Sequence, residues 1–274
     1  MVEDIPPLLG AGVRFVIAGA IMYAWLAWRR PRSARAITRR QLLGAAVVGL
    51  LLMFGGNGLV TVAEEEVPSG LAALLIGTVP LWVILLRAIY GHERVPRTTL
   101  MSVGVGFVGV ALLVLPGDRP DDAPLGWSLL VVVAAVLWAS GSFAASRVER
   151  PSDVLTATAW QMLLGGGAMV VVGAAVGELA ELDLAAISAD SWAAFIFLVF
   201  VGSIAAFSAY NWLLRHVALS TVATYAFVNP VIAVFLGWLI LSEEITSFVV
   251  LGTAVIVASV AFVVLSSEER APAA

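Results

Sequence analysis

The sequence predicts an all-α, polytopic membrane protein whose nine transmembrane helices form an inverted repeat. Three observations carry that prediction. Apolar residues fill 61% of the 274 positions and charged residues only 12%, against about 25% charged in a soluble domain. The apolar residues fall in runs long enough to cross a bilayer. One stretch of chain recurs 150 residues later with its charges on the opposite side. A soluble core of this size could not hide so much apolar surface, so the bilayer must be the solvent.

A spanning helix takes about 20 mostly apolar residues. Nine runs qualify: 8–28, 41–62, 69–90, 98–116, 127–146, 154–177, 192–213, 218–241 and 247–265. Short connections make neighbouring helices antiparallel. Every basic residue is Arg, and orientation follows from where the Arg residues fall. If the basic segment 29–40 is cytoplasmic, all Arg except Arg119 and the in-span Arg14 lie on or beside the inner face. Glu64, Glu65, Glu66, Asp118, Asp121 and Asp122 then fall outside. The C-terminus is expected in the cytoplasm and, with nine spans, the N-terminus outside; the expected location is a bacterial cytoplasmic (inner) membrane.

The repeat aligns 63–115 with 213–265 without a gap. Pro80 coincides with Pro230, each midway along a span, and Glu93 with Glu243, each at that span's end. Glu93 is expected inside and Glu243 outside, so the two copies have opposite topology. Inverted repeats of this kind are a hallmark of secondary transporters. Further back, 10–28 pairs with 157–176 and 41–62 with 192–213. The first repeat is therefore read as residues 1–116 with four helices, and the second as 127–266 with five. The span 127–146 has no counterpart, which predicts a five-plus-five design lacking its first helix.

Composition excludes several functions. The net charge of −4 leaves no basic face for nucleic acid. Without cysteine there is no disulfide and no thiolate metal site. The acidic stretch Met1 to Pro7 lacks the basic region of a signal peptide. No His, Cys or carboxylate pair lies within a span, so an enzyme is not expected, nor is a metal or cofactor. Gly104-Val105-Gly106-Phe107-Val108-Gly109 matches the dinucleotide fingerprint, but that motif needs a preceding strand. Inside an apolar span its glycines, like Gly165-Gly166-Gly167, are expected to allow close helix packing.

Polar groups within a bilayer are costly, so those present need a reason. Thr221, Tyr225 and Asn229 share one helix face, and Asn229 precedes Pro230, which removes a backbone hydrogen bond. This polar stripe is read as a substrate contact, with interhelical hydrogen bonding as the alternative. Asn57 with Thr61, Trp138 with Ser142 and Ser146, and the cluster Ser203, Ser208, Tyr210 and Asn211 carry the same two readings. Thr78 and Pro80 join the candidate binding set through the repeat. Trp25, Trp28, Trp127 and Trp192 are expected as interfacial anchors. Arg14, the one cation well inside a span, is expected to form a structural ion pair with Glu64, Glu65 or Glu66, the alternative being an anionic substrate group.

Several segments together resemble one family. Pro6-Pro7-Leu8-Leu9-Gly10-Ala11-Gly12-Val13-Arg14-Phe15 looks like the opening of the second helix in EamA-type members of the drug/metabolite transporter superfamily. Gly55-Gly56-Asn57-Gly58, Val67-Pro68-Ser69-Gly70-Leu71-Ala72-Ala73 and Thr78-Val79-Pro80-Leu81 are similar to its YedA-like exporter branch. So are Trp138-Ala139-Ser140-Gly141-Ser142 and Tyr225-Ala226-Phe227-Val228-Asn229-Pro230-Val231. The resemblance runs from Pro6 to about Leu265 and implies ten helices, one more than are found here. It also implies export of small molecules such as amino acids or drugs, with the lipid bilayer and a small-molecule substrate as partners. The competing reading is a non-transporting or truncated membrane subunit.

Overall fold

Three of the spans start where a side chain accepts from their free backbone amides. Thr38 and Gln41 form a reciprocal capping box. Asp153 accepts from the Thr156 amide at 2.8 Å, and Ser188 accepts from the Ser191 amide at 3.2 Å. The computed structural model describes residues 4–29, 37–91, 96–114, 124–217 and 247–268, together with Val222, Ile232, Phe235 and Leu239. It is all-helical over these residues. The helices are α1 (Pro7–Arg29), α2 (Arg39–Ala63), α3 (Ser69–Ile76), α4 (Val79–Tyr90) and α5 (Arg97–Val114). They continue as α6 (Leu125–Ala145), α7 (Val154–Val176), the single turn α8 (Glu178–Glu181), α9 (Ala189–His216) and α10 (Ser247–Glu268).

Among the described residues six segments are long and apolar enough to cross a membrane: α1, α2, α3 with α4, α6, α7 and α9. Shorter apolar stretches run through α5 and α10. The expected ends hold to within a few residues, α1 starting at Pro7 and α9 extending from 189 to 216. The expected eighth span, 218–241, lies mostly outside the described residues. Along α1, Val13, Ile17, Ile21, Trp25 and Trp28 are exposed. Their spacing of three and four puts them on one face, the lipid-facing stripe of a membrane helix. The opposite face buries Phe15, Ala18, Met22 and Leu26.

The chain divides into two compact units. One comprises 1–62 with 144–216, the other 63–143 with 217–274. Each unit draws helices from both halves of the sequence.

In the first unit the main seam joins α1 to α7, the helices that the sequence alignment of 10–28 with 157–176 pairs. Glycines let the two backbones touch: a Cβ at Gly12 would meet the Gly166 carbonyl oxygen at 2.9 Å, and one at Gly19 the Ala159 carbonyl oxygen at 2.9 Å. Contact thus moves up α7 as it moves down α1, so the two helices are antiparallel. Gly177, at φ 103°, ends α7 in the left-handed conformation that glycine accepts most readily.

The second unit repeats the arrangement with α5 and α10. A Cβ at Gly106 would meet Ser259 Oγ at 2.7 Å and one at Gly109 the Ile256 side chain at 2.8 Å. These helices are also repeat equivalents and also antiparallel. The fingerprint-like glycines therefore sit in a helix seam, except Gly104, which has open space around it. Gly165 and Gly166 pack closely on α2 and α1, while Gly167 contacts nothing within 4 Å.

Candidate functional site

Two spans depart from α-helical geometry. In α2 residues Leu50–Gly58 are π-helical, and in α9 residues Leu198–Ala205 are. The repeat makes these two spans equivalent, and both belong to the first unit. A π-helical stretch widens the helix and shifts its backbone hydrogen bonds, and such stretches recur at functional sites. Asn57 lies half-buried in the first of them, its carbonyl accepting from the Thr61 hydroxyl at 2.9 Å.

The polar residues of the first unit fall into two groups. Asn211 is fully buried and engaged: its Nδ2 donates to the Phe207 carbonyl at 3.1 Å, and its Oδ1 accepts from Arg150 at 3.4 Å. Arg215 donates to the carbonyls of Pro151 and Ser152. Burial, then the charge of Arg215, pushes the Arg150 pKa down to about 10. Asn211 therefore anchors the 146–153 connection. Tyr210 is half-buried one residue earlier. In the second group Gln161, Trp160, Ser203 and Ser208 have buried polar atoms without a hydrogen-bond partner among the described residues. Gln161 and Trp160 were not among the candidates drawn from the sequence. A lone amide midway along an apolar span was the signal available.

In the second unit the helix breaks at Gly77 and Thr78, between α3 and α4, with Pro80 in the first turn of α4. Proline lacks the N–H that would bond four residues back. Thr78 braces the break, donating to the Leu75 carbonyl at 2.6 Å and accepting from the Trp82 indole at 3.2 Å. Thr78 and Pro80 are buried. Around them Val79, Val83, Ala135 and Ala139 form a small core that Trp82 and Trp138 flank, and Trp82 packs 4.6 Å from Phe107. Ser142 donates to the Trp138 carbonyl at 2.8 Å, while Ser146 is exposed in the turn beyond α6. The structure thus gathers Thr78, Pro80 and Trp138 around the proline break and adds Trp82, which the sequence reading missed.

Arg14 is 8% exposed in α1, with its guanidinium 4.5 Å from the centre of the Phe15 ring. Phe15 in turn meets Phe207 edge-on at 5.4 Å. Arg14 belongs to the first unit, and Glu64 and Glu65, in the turn after α2, to the second. Tyr225, Asn229 and Pro230, with Thr221, lie outside the described residues. Trp25, Trp28 and Trp192 are exposed, as interfacial anchors would be, and Trp127 is half-buried.

Just beyond the end of α7 in the first unit, Glu178 fills a role the sequence did not suggest. Its carboxylate is 7% exposed and accepts from the amides of Leu8 at 3.1 Å and Leu9 at 2.6 Å, capping α1 from 170 residues away. Nearby, Asp4 accepts from the hydroxyl and amide of Ser188, which lowers its pKa to about 2.

Spanning helices, antiparallel repeat equivalents and a helix broken at a proline within the bilayer define a polytopic membrane protein built like a transporter. The chain belongs to the EamA-like transporter family, which it matches over residues 1–115 and 125–265. It is 36% identical over 266 residues to YedA of Escherichia coli K12, an uncharacterized inner membrane transporter, covering 96% of this chain and 83% of that one. It is 27% identical over 263 residues to the uncharacterized transporter YoaV of Bacillus subtilis, covering 93% and 86%. Identity to protein PecM of Dickeya dadantii is also 27%, over 251 residues, covering 90% and 79%. A solved crystal structure shares the fold, with a TM-score of 0.66 over 97% of this chain and 90% of that one at 20% identity.

Proposed function

We propose that this protein is a secondary transporter that exports small metabolites such as amino acids or drugs, by alternating access between its two inverted repeats. The observation that carries the reading is the antiparallel pairing of repeat equivalents, α1 with α7 and α5 with α10. A pair of equivalent, oppositely directed helices gives two related arrangements of nearly equal energy, one open to each side of the membrane. The helix break at Thr78 and Pro80, flanked by Trp82 and Trp138, supports a substrate contact in the first repeat. The sequence stripe of Tyr225 and Asn229 beside Pro230 supplies the matching contact in the second. Asn57, Tyr210 and Asn211 in the first unit and Ser142 in the second are the remaining candidate substrate contacts, with Ser142 and Asn211 acting through the helices they brace. The C-terminus lies in the cytoplasm on this reading, because nearly all Arg residues then face inward.

The test is efflux from proteoliposomes loaded with a labelled panel of amino acids and neutral aromatic drugs. Purified protein should empty the vesicles of at least one panel member faster than protein-free vesicles lose it. Tyr225→Ala and Asn229→Ala should each slow that flux about tenfold or more, the scale of a lost hydrogen-bonded contact of roughly 1.4 kcal/mol, with melting temperatures near wild type. Wild-type flux by both variants would remove these residues from the site. No flux of any panel member would favour a non-transporting subunit.

A further inference from the structure

We propose that the side-chain amide of Gln161 is a substrate-recognition group for ligands that carry a carboxamide. This rests on the transporter reading and names the substrate chemistry that one of its residues selects.

The first observation is an energetic misfit. Gln161 is fully buried, and neither its Oε1 nor its Nε2 has a hydrogen-bond partner among the described residues. It lies about 10 Å along the helix from the start of the 23-residue α7, within the bilayer. An unmet polar group at that depth is strongly unfavourable. Other polar groups in the spans avoid that penalty locally. The hydroxyls of Thr61, Ser140, Ser142 and Thr158 each donate to the carbonyl four residues back, at 2.8 to 2.9 Å. Gln161 has no such bond among the described residues, so its amide is free to meet a partner that those residues do not supply.

The second observation is where the residue sits. A Cβ at Gly49 would run into the Gln161 carbonyl, and one at Gly165 into the Gly49 carbonyl, so α2 lies directly on α7 at this level. Gly49 is also the residue at which the π-helical stretch Leu50–Gly58 begins. The backbone of Gln161 thus adjoins the place where α2 departs from α-helical geometry. On the adjoining position of α7, the buried indole Nε1 of Trp160 is likewise without a partner, and its ring lies 5.5 Å from Tyr23.

The chemistry of the unmet atoms selects the ligand class. Gln161 offers one acceptor oxygen and a planar amino donor, both uncharged. Another carboxamide presents the complementary edge, a donor opposite the acceptor and an acceptor opposite the donor. An apolar ligand would leave both atoms unmet, and a site built to hydrogen-bond rejects such analogues strongly.

Flux of L-glutamine, L-asparagine and nicotinamide, measured beside L-leucine and L-phenylalanine in proteoliposomes of the intact chain, tests this. Wild-type protein should move the carboxamides faster than the apolar probes. Gln161→Met keeps the unbranched shape without polar atoms, and it should lower the glutamine-to-leucine flux ratio at least tenfold. Its melting temperature should equal or exceed wild type, since it removes an unmet polar group. Gln161→Asn, which withdraws the amide by one methylene, should lower the same ratio while retaining the polar group. The inference is overturned if wild type moves leucine or phenylalanine but no carboxamide. It is equally overturned if neither variant changes the ratio, and both outcomes leave the transporter reading standing. Absence of flux for all five probes overturns this inference, and the wider efflux panel above decides the transporter reading separately.

Discussion

Gly166→Val is expected to destabilise the detergent-purified protein by about 1–3 kcal/mol, the usual cost of overpacking a close interface. A Cβ at this position would lie 2.7 Å from the Phe15 Cβ, 2.9 Å from the Gly12 carbonyl oxygen and 3.1 Å from the Val16 amide nitrogen. Two of those three neighbours are backbone atoms, which cannot rotate aside as a side chain can. Relief would require α1 to move off α7 along their whole seam. The next residue provides the control. Gly167 faces open space, so Gly167→Ala should be neutral or stabilising by up to about 1 kcal/mol through helix propensity. Thermal melting of both variants reads the difference, and equal melting temperatures would mean that the seam is looser than described.

Glu178→Ala is expected to cost about 1.5–3 kcal/mol, the range for hydrogen bonds to a charged group. The carboxylate accepts from two consecutive amides in the first turn of α1, and its charge complements the positive end of the helix dipole. Truncation leaves both donors unmet at a buried helix end. Glu178→Gln keeps one acceptor oxygen and should lose less. Amide hydrogen exchange localises the effect: Leu8 and Leu9 should lose protection in Glu178→Ala while the middle of α7 stays protected. Unchanged protection at Leu8 and Leu9 would contradict the capping role.

The spans were legible because a bilayer imposes a length and a polarity that few sequences can mimic. The predicted 69–90 run is the pair α3 and α4 from Ser69 to Tyr90, and Pro80 marks the break between them. Glycine seams were legible as a type and not in detail. Gly166 and Gly106 touch neighbouring helices, whereas Gly167 and Gly104 do not, because which glycine of a run meets a partner depends on helix rotation. The Glu178 cap was hidden by its distance in sequence from Leu8, since capping patterns read only three or four residues ahead. The π-helical stretches in α2 and α9 left no trace in composition. They depend on which backbone carbonyl each amide finds, and Gly55, Gly56 and Gly58 permit that rearrangement without dictating it. Gln161 was overlooked among stronger polar stripes, because its importance lies in the lack of a partner, and partners are a tertiary property.

Serine and threonine candidates show the reverse limit. Ser142, read from the sequence as either a cavity contact or a structural hydrogen bond, and Thr78, a candidate through the repeat, both donate to carbonyls of their own helix or helix break. Depth identifies a costly polar group, and only the structure shows whether its hydrogen bonds are already made.

Alternating access is tested most directly by counterflow. Proteoliposomes preloaded with an unlabelled panel compound at high concentration are diluted into a trace of the same compound carrying a label. A carrier that exposes one site to each side in turn should accumulate label inside to a transient peak above its equilibrium level, then release it as the preloaded pool runs down. Alternating access predicts that overshoot for at least one compound of the panel. Label that merely rises to equilibrium at the rate of protein-free vesicles, for every compound, would contradict it.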